Sequence, residues 1–366
     1  MVLRRGFHQI FFRKSIVAPL LRSSFTVNRS TMGNETSREA VGGTVKAAEF
    51  AGDQLWDPSW KESYGEATIK KHKAKHDRKL YCSWFCPFAQ RAWITLEESK
   101  LPYQYIEVNP YVVDPRQPGG YTKKAHALLE KKKAMPDFIK VSPRGLVPAI
   151  HDADGSAVWE SAVVVEYLCE KYPEQISLLP SDPARRALAR ILVDHCTSRI
   201  QKAYYLWLMA QDEDTQNSAS FTFIDECRAL AAAMAPNGSE YFKIVRNNES
   251  TKVDAEAFRE IGKQVLKEDG PYVFGNEFTA VDVAFAPFWQ RIRLVGKHYR
   301  GIDVAAMAKE DASIARLEAW WHAVRERPSV KATFVCEERL LASYNDYATN
   351  KATSDFANSM QSALKN

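Results

Sequence analysis

The stretch RKLYCSWF, residues 78–85, is apolar and short, and it runs straight into Cys86-Pro87 and then FAQRAWITLEESK, whose apolar residues recur at helical spacing. Proline has no N–H to donate and a fixed φ, so it is favoured at the first position of a helix. A strand must therefore give way to a helix at Cys86. Ala89, Trp93, Ile94 and Leu96 fall on or near one face of that helix. YQYIEV at 103–108 is a second strand, and a strand, helix, strand order implies a parallel pair with a crossover.

Further along, LVPAIHD and SAVWES are two strands around a DADG turn, where Asp154-Gly155 signals a hairpin, and a helix follows from about Ser161 to Lys171. The order βαβ, connection, ββα predicts an α/β thioredoxin-like domain over residues 76–175. Between Asn109 and Phe138 the chain is charged, punctuated by Pro and Gly, and long for a connection inside a compact domain. This insertion, about 110–135, is expected to be a lid or contact surface with one short helix around His126 to Lys132. After a Pro-rich break at 173–183, apolar residues recur at three and four with no strand-like alternation, predicting an all-α domain over 181–345 and a tail at 346–366. Within it, Thr279 and Asp282 have the spacing of a capping box, with Phe278 and Val283 as the hydrophobic staple. His195 and His322 read as structural histidines.

A chain of 366 residues that is 45% hydrophobic can bury a large core. Its net charge of +5 is misleading, because Arg4, Arg5, Arg13, Lys14, Arg22 and Arg29 precede the first acid and leave the rest nearly neutral. That balance argues against a nucleic-acid surface. Residues 1–32 are Arg-rich, contain Ser and Thr and lack acids, the composition of a transit peptide, and a mitochondrial destination is expected. Translation from Met32 would give a cytoplasmic form, and MGNETS matches the acylation pattern at Gly33. Residues 33–75 read as a linker with WDPSW packed on the body. No stretch approaches the ~20 apolar residues that span a bilayer, so stable membrane insertion is not expected. Six scattered cysteines fit a reducing compartment rather than a disulfide scaffold.

Cys86 is the candidate nucleophile. As the N-cap it faces unpaired amides and the positive end of the helix dipole, which stabilise a thiolate and lower a thiol pKa from about 8.5 by one or more units. Cys82 lies four residues earlier on the strand, one residue too far for a dithiol motif, and reads as packing. No CxxC or CxxH occurs nearby to hold zinc.

CPFAQRAW at 86–93, GLVPAI at 145–150, WES at 159–161 and FTAVDVAFAP at 278–287 together resemble a cytosolic-type glutathione transferase of the omega class, or its lambda and dehydroascorbate-reductase relatives. The resemblance covers roughly residues 76–345 and departs from the family in the insertion and the N-terminal extension. It implies a glutathione transferase fold, glutathione as co-substrate with no tightly bound cofactor, and a homodimer. It implies a cis Val147-Pro148 turn whose backbone pairs with the cysteinyl part of glutathione, and it places Phe88 beside that ligand. Glu160 and Ser161 would hold the two charged ends of the γ-glutamyl group at a helix N-terminus, although Ser161 alone is also a simple cap. Lys133, or a neighbour in Lys131–Lys133, is the candidate for the glycine carboxylate. Tyr204, Tyr205 and Trp207, on the helix that faces the thiol in this family, are candidates for an apolar acceptor pocket, and core packing fits them equally well.

The activity implied is a glutathione-dependent thiol transferase or reductase, acting on small electrophilic, disulfide or conjugate substrates through a Cys86–glutathione mixed disulfide. The alternatives are a non-catalytic glutathione-binding protein, a relative of the chloride intracellular channels, which share a CPF motif, and a glutathionyl-quinone reductase, against which Phe88 counts because those enzymes usually carry Trp there.

Overall fold

The computed structural model describes residues 75–114, 116, 121–234 and 270–365. The expected transit peptide, Gly33 and nearly all of the 33–75 linker, WDPSW included, lie outside the described residues.

Strand β1 (Lys79–Cys82) pairs in parallel with β2 (Gln104–Glu107), the helix α1 (Pro87–Ser99) making the crossover. Lys100, in the left-handed region at φ 57°, ends α1 and turns the chain back to β2. Two further strands, β5 (Ala149–His151) and β6 (Ala157–Trp159), complete an antiparallel hairpin, giving the sheet order β2-β1-β5-β6. The period-2 alternation of the strands sorts their side chains onto two faces. Leu80, Cys82, Tyr105 and Ile150 face α1 and α4 (Ser161–Lys171) in the large core. Tyr81, Val108 and Ala149 face the other way and bury Phe138 and Val141 of the short helix α3 (Pro136–Val141). This is the expected thioredoxin-like unit.

The insertion is more ordered than the sequence suggested. It forms an antiparallel pair, β3 (Tyr111–Val113) with β4 (Tyr121–Ala125), and then α2 (Leu128–Ala134), the helix anticipated near His126 to Lys132. Strand β4 is pinned to the far end of the chain: the Lys123 amide donates to Asp346 Oδ2 at 2.9 Å, and the Thr353 amide donates to the Lys123 carbonyl at 3.3 Å.

The second domain is helical throughout its described residues. Helix α5 (Pro183–Asp194), capped by the Asp182 carboxylate on the Arg185 amide, continues through a π-helical segment at His195–Ile200 into α6 (Gln201–Met209). Helices α7 (Glu213–Ala232), α8 (Ala280–Arg291) and α9 (Ala312–Glu326) surround it. The capping box at Thr279 and Asp282 is present, and Asp282 takes more than the box supplies, accepting also from the Val273 amide and the Trp320 indole.

Residues 346–366, expected as a tail, belong to the domain. After α10 (Glu337–Ser343), helices α11 (Asn345–Ala348) and α12 (Asp355–Lys365) pack against α6 and bury Tyr347, Ala357 and Met360. Their apolar faces are short, which is why composition alone read them as a tail. Among the described residues no helix is long and apolar enough to cross a membrane.

Candidate functional site

The register of the sheet gathers the predicted residues at one end. Tyr81 is paired with Ala149, and Ala149 with Trp159. The chain leaves β1 toward Cys86 at the same end at which it enters β5 from Val147-Pro148 and leaves β6 into Glu160-Ser161. The Val147-Pro148 bond is cis, as expected.

Cys86 caps α1 with extended backbone, φ −84° and ψ 116°, and Pro87 occupies the first helical position. Its amide donates to the Ser83 carbonyl at 2.9 Å, which fixes the turn between β1 and α1. The thiol is half-buried, and none of the other five cysteines forms a disulfide with it. The electrostatics correct one expectation. Burial pushes the Cys86 thiol up, and the opposing pull of the Ala89 and Phe88 amides, Arg291 and Lys123 does not cancel it. The helix start does what was expected of it, but in an apolar enclosure the charged form remains disfavoured. Cys82 is fully buried and pushed far up by burial, as a packing residue should be.

The enclosure comes from residues that sequence reasoning missed. Lys123 of β4, 4% exposed, sets its Nζ 4.0 Å from the centre of the Phe85 ring, 4.6 Å from Tyr111 and 5.6 Å from Tyr347. Phe85 and Tyr111 are themselves stacked at 5.5 Å. Burial drives the Lys123 amine down to about 7, against the attraction of Cys86 and Asp346. From the helical domain, Arg291 Nη2 donates to the Phe85 carbonyl at 3.0 Å, and Nη1 to Gln90 Oε1 at 2.8 Å. No local pattern marks Lys123, which sits in a charged run.

The expected glutathione side is assembled as follows. Phe88 is half-buried, edge-on to Phe288 at 5.5 Å, with the Arg91 guanidinium over both rings. Ser161, the first residue of α4, is buried, and Arg91 Nη1 donates to its Oγ at 3.4 Å. Glu160 precedes it at φ 69°, unusual for a residue with a Cβ, and its exposed carboxylate lies 3.6 Å from Arg144. Of the lysine run, Lys133 is exposed at the end of α2, and it is Lys131 whose Nζ donates to the Gly145 carbonyl at 3.1 Å beside the cis-proline loop. Of the three lysines, only Lys131 is turned partly inward by α2.

Tyr204, Tyr205 and Trp207 are 0%, 4% and 3% exposed and belong to the large core. The Trp207 ring stacks on Phe223 at 5.7 Å, and the Tyr204 hydroxyl donates to the Arg291 carbonyl at 3.5 Å. The Tyr205 hydroxyl meets that of Tyr344 at 3.2 Å. These three are core; burial raises the pKa of the Tyr344 and Tyr347 hydroxyls, with the Cys86 charge adding to the shift. His195 is the structural histidine expected, with Nε2 3.0 Å from the Glu226 carbonyl. A cavity of about 400 Å³ between the two domains, lined by Glu98, Leu178, Phe278 and Arg327 among others, does not include Cys86.

A thioredoxin-like domain with a cis-proline loop beside a helix-capping cysteine, joined to an all-helical domain, defines a glutathione transferase fold. Residues 85–171 match the family model of the glutathione S-transferase N-terminal domain, and residues 255–323 that of the glutathione S-transferase C-terminal domain. The chain belongs to the glutathione S-transferase family. It is 22% identical over 268 residues to glutathione S-transferase omega-1 of Sus scrofa, covering 73% of this chain and 84% of that protein. It is 23% identical over 259 residues to the probable cytosolic glutathione S-transferase DHAR1 of Oryza sativa subsp. japonica, covering 71% and 88%. Among solved structures, glutathione transferase Omega 3C from Trametes versicolor superposes with a TM-score of 0.57 at 29% identity, over 80% of this chain and 100% of that one. A rice transferase solved in complex with glutathione shares the fold, with a TM-score of 0.50 at 21% identity, over 73% of this chain and 96% of that one.

Proposed function

We propose that the protein is a glutathione-dependent thiol transferase or reductase in which Cys86 carries glutathione as a mixed disulfide. The observation that carries this reading is the place of Cys86, at the start of α1 with the Phe88 and Ala89 amides and two cations drawing on its sulfur, at the same sheet end as the cis-proline loop and Ser161. A hydroxyl there would activate glutathione for conjugation; a thiolate instead attacks sulfur.

In the first step the Cys86 thiolate attacks the glutathione sulfur of a mixed disulfide RS–SG. The S–S bond breaks, RS⁻ leaves and takes a proton, and Cys86–SG forms. A second glutathione thiolate then attacks the glutathione sulfur of that bond, releasing oxidised glutathione and restoring the Cys86 thiolate. Reduction of dehydroascorbate or of a glutathione conjugate would use the same two-glutathione balance. The backbone at Val147 and the α4 N-terminus at Ser161 would hold the tripeptide, with Lys131 near its glycine end. The protein is further proposed to act as a homodimer and, by its first 32 residues, in mitochondria.

The test is Cys86→Ala in a thiol-transfer assay beside a glutathione-binding measurement. Activity should vanish with binding retained, and the parent chain, trapped after the first step, should carry one glutathione on the Cys86 peptide by mass spectrometry. Full activity in the variant would sink the mechanism. Conductance in liposomes without glutathione turnover would favour the channel-like alternative.

A further inference from the structure

We propose that Arg91 is a positioning residue for glutathione: its buried, uncompensated charge is met by the α-carboxylate of the γ-glutamyl group at the start of α4, and acts on it through the Ser161 hydroxyl. The inference rests on the proposed function in one respect, that glutathione binds at Ser161.

Arg91 of α1 is 2% exposed. Its Nε donates to the Ala284 carbonyl of α8 at 3.0 Å, and its Nη1 donates to Ser161 Oγ at 3.4 Å. The guanidinium carbon lies 5.2 Å from the centre of the Phe88 ring and 5.1 Å from that of Phe288. Nη2 of the same group is buried without a hydrogen-bond partner. Burial lowers the pKa only to about 10, so the side chain is a cation at neutral pH. The titratable groups that act on it are two thiols, Cys196 and Cys86, and no carboxylate is among them. Glu166, which borders the same small cavity, is held instead by Arg190 at 2.9 Å.

A brace between the domains does not need a charge at this place. An uncharged donor would serve the Ala284 carbonyl, and a buried cation without a counter-charge is costly. The two ring faces offset part of that cost. An anion beside the oxygen that the guanidinium already holds would offset the rest. Ser161 opens α4, a helix of 11 residues whose first amides are unpaired and carry the positive end of the helix dipole. A carboxylate seated there stands one hydroxyl away from Arg91, in surroundings poor in water where charges are weakly screened. The chain carries the cost of the charge before the ligand arrives, and the ligand's carboxylate relieves it. Arg91 thereby sets the affinity for that carboxylate and takes no part in the sulfur chemistry.

The experiment is equilibrium binding by calorimetry to the full chain carrying Cys86→Ala, so that no mixed disulfide forms. The two probes are glutathione and γ-aminobutyryl-cysteinylglycine, which lacks only the α-carboxylate. Arg91→Gln keeps a donor and loses the charge. In that variant glutathione should bind about tenfold more weakly or worse, while the analogue binds as it does to the parent. Arg91→Lys keeps the charge and should keep the preference for glutathione over the analogue. Equal losses for the two probes in Arg91→Gln would make Arg91 a structural brace and overturn the proposal, and so would an unchanged preference. Loss of the preference in Arg91→Lys also overturns it, which decides the matter even if the Gln variant does not fold. A chain that binds no glutathione would remove this inference together with the proposed glutathione site. Binding with the expected dependence on Arg91, in a protein whose Cys86 form transfers no thiol, would defeat the proposed function and leave this role standing.

Discussion

Arg291 Nη2 donates to the carbonyl of Phe85 at 3.0 Å, so a fully buried cation of the helical domain grips the backbone one residue before Cys86. The same guanidinium holds Gln90 Oε1 at 2.8 Å and the Pro287 carbonyl at 2.6 Å, and Gln90 in turn donates to Thr333 Oγ1 at 3.1 Å. The two domains are thus joined by a buried polar network that reaches the residue before Cys86, with Arg291 Nε left without a partner.

Arg291→Met should therefore act twice. It leaves the Phe85, Pro287 and Gln90 oxygens without their donor, and each stranded buried group costs about 1–3 kcal/mol, so urea unfolding should show a loss of about 3 kcal/mol or more. It also removes a positive charge that favours the Cys86 thiolate, so the pH midpoint of Cys86 alkylation should rise. Unchanged stability would mean the domains are held by apolar packing alone.

Asp282 offers a sharper measure of how a cap can outgrow its local role. Its carboxylate accepts from the Thr279 amide at 2.7 Å, the Thr279 hydroxyl at 3.0 Å, the Val273 amide at 3.0 Å and the Trp320 indole at 2.8 Å. A capping box alone is worth about 1 kcal/mol. Asp282→Ala strands four buried donors and should cost about 3 kcal/mol or more, read as a lowered Tm by calorimetry. A loss near 1 kcal/mol would show that the long-range bonds contribute nothing.

Asp152 should govern part of the acid stability. It is fully buried; that burial raises its pKa, but the hydroxyls of Tyr167 and Tyr172, the Ala153 amide and the charge of Arg78 overcome it and hold the carboxyl well below its usual range. A depressed folded pKa contributes stability that is complete above the unfolded value of about 4 and is lost as pH falls below it. Asp152→Asn should be less stable than the parent chain at pH 7 and should lose less on acidification from about pH 4 to 2. Parallel stability curves for the two proteins in that window would refute this.

The contrast between what was readable and what was not follows the range of the interactions. The strand-to-helix switch at Cys86, the Val147-Pro148 turn and the Asp282 box are properties of proline and of caps, which act within a few residues. Lys123 was invisible because the residues around it are distant in the chain: its amide donates to Asp346, 223 residues away, and its Nζ lies over Phe85 and Tyr347. Tyr204, Tyr205 and Trp207 fitted an acceptor pocket and core packing equally well, because what covers them is distant in the chain: Trp207 stacks on Phe223, and Tyr205 packs on Phe356 at 4.7 Å and on Tyr347 at 5.2 Å. The acidity expected of Cys86 was overestimated for the same reason, since the helix start is local and the enclosure is not.

Ser161 separates binding from chemistry. It begins α4 at the sheet end that carries Cys86, and Arg91, fully buried, donates to its hydroxyl at 3.4 Å while Arg91 Nε is tied to the Ala284 carbonyl at 3.0 Å. The hydroxyl is thus turned by a cation that cannot follow a ligand outward, and the amides of the helix start stand ready for a carboxylate. Ser161→Ala removes the hydroxyl proposed to donate to glutathione and one acceptor from Arg91 but leaves the Cys86 surroundings intact. The KM for glutathione should rise about tenfold, equivalent to about 1.4 kcal/mol, with kcat and the alkylation profile of Cys86 unchanged. Steady-state kinetics with glutathione varied at a fixed disulfide substrate give the split. A fall in kcat at constant KM would place Ser161 in the chemical step instead, and no change in either would leave it only an acceptor for Arg91.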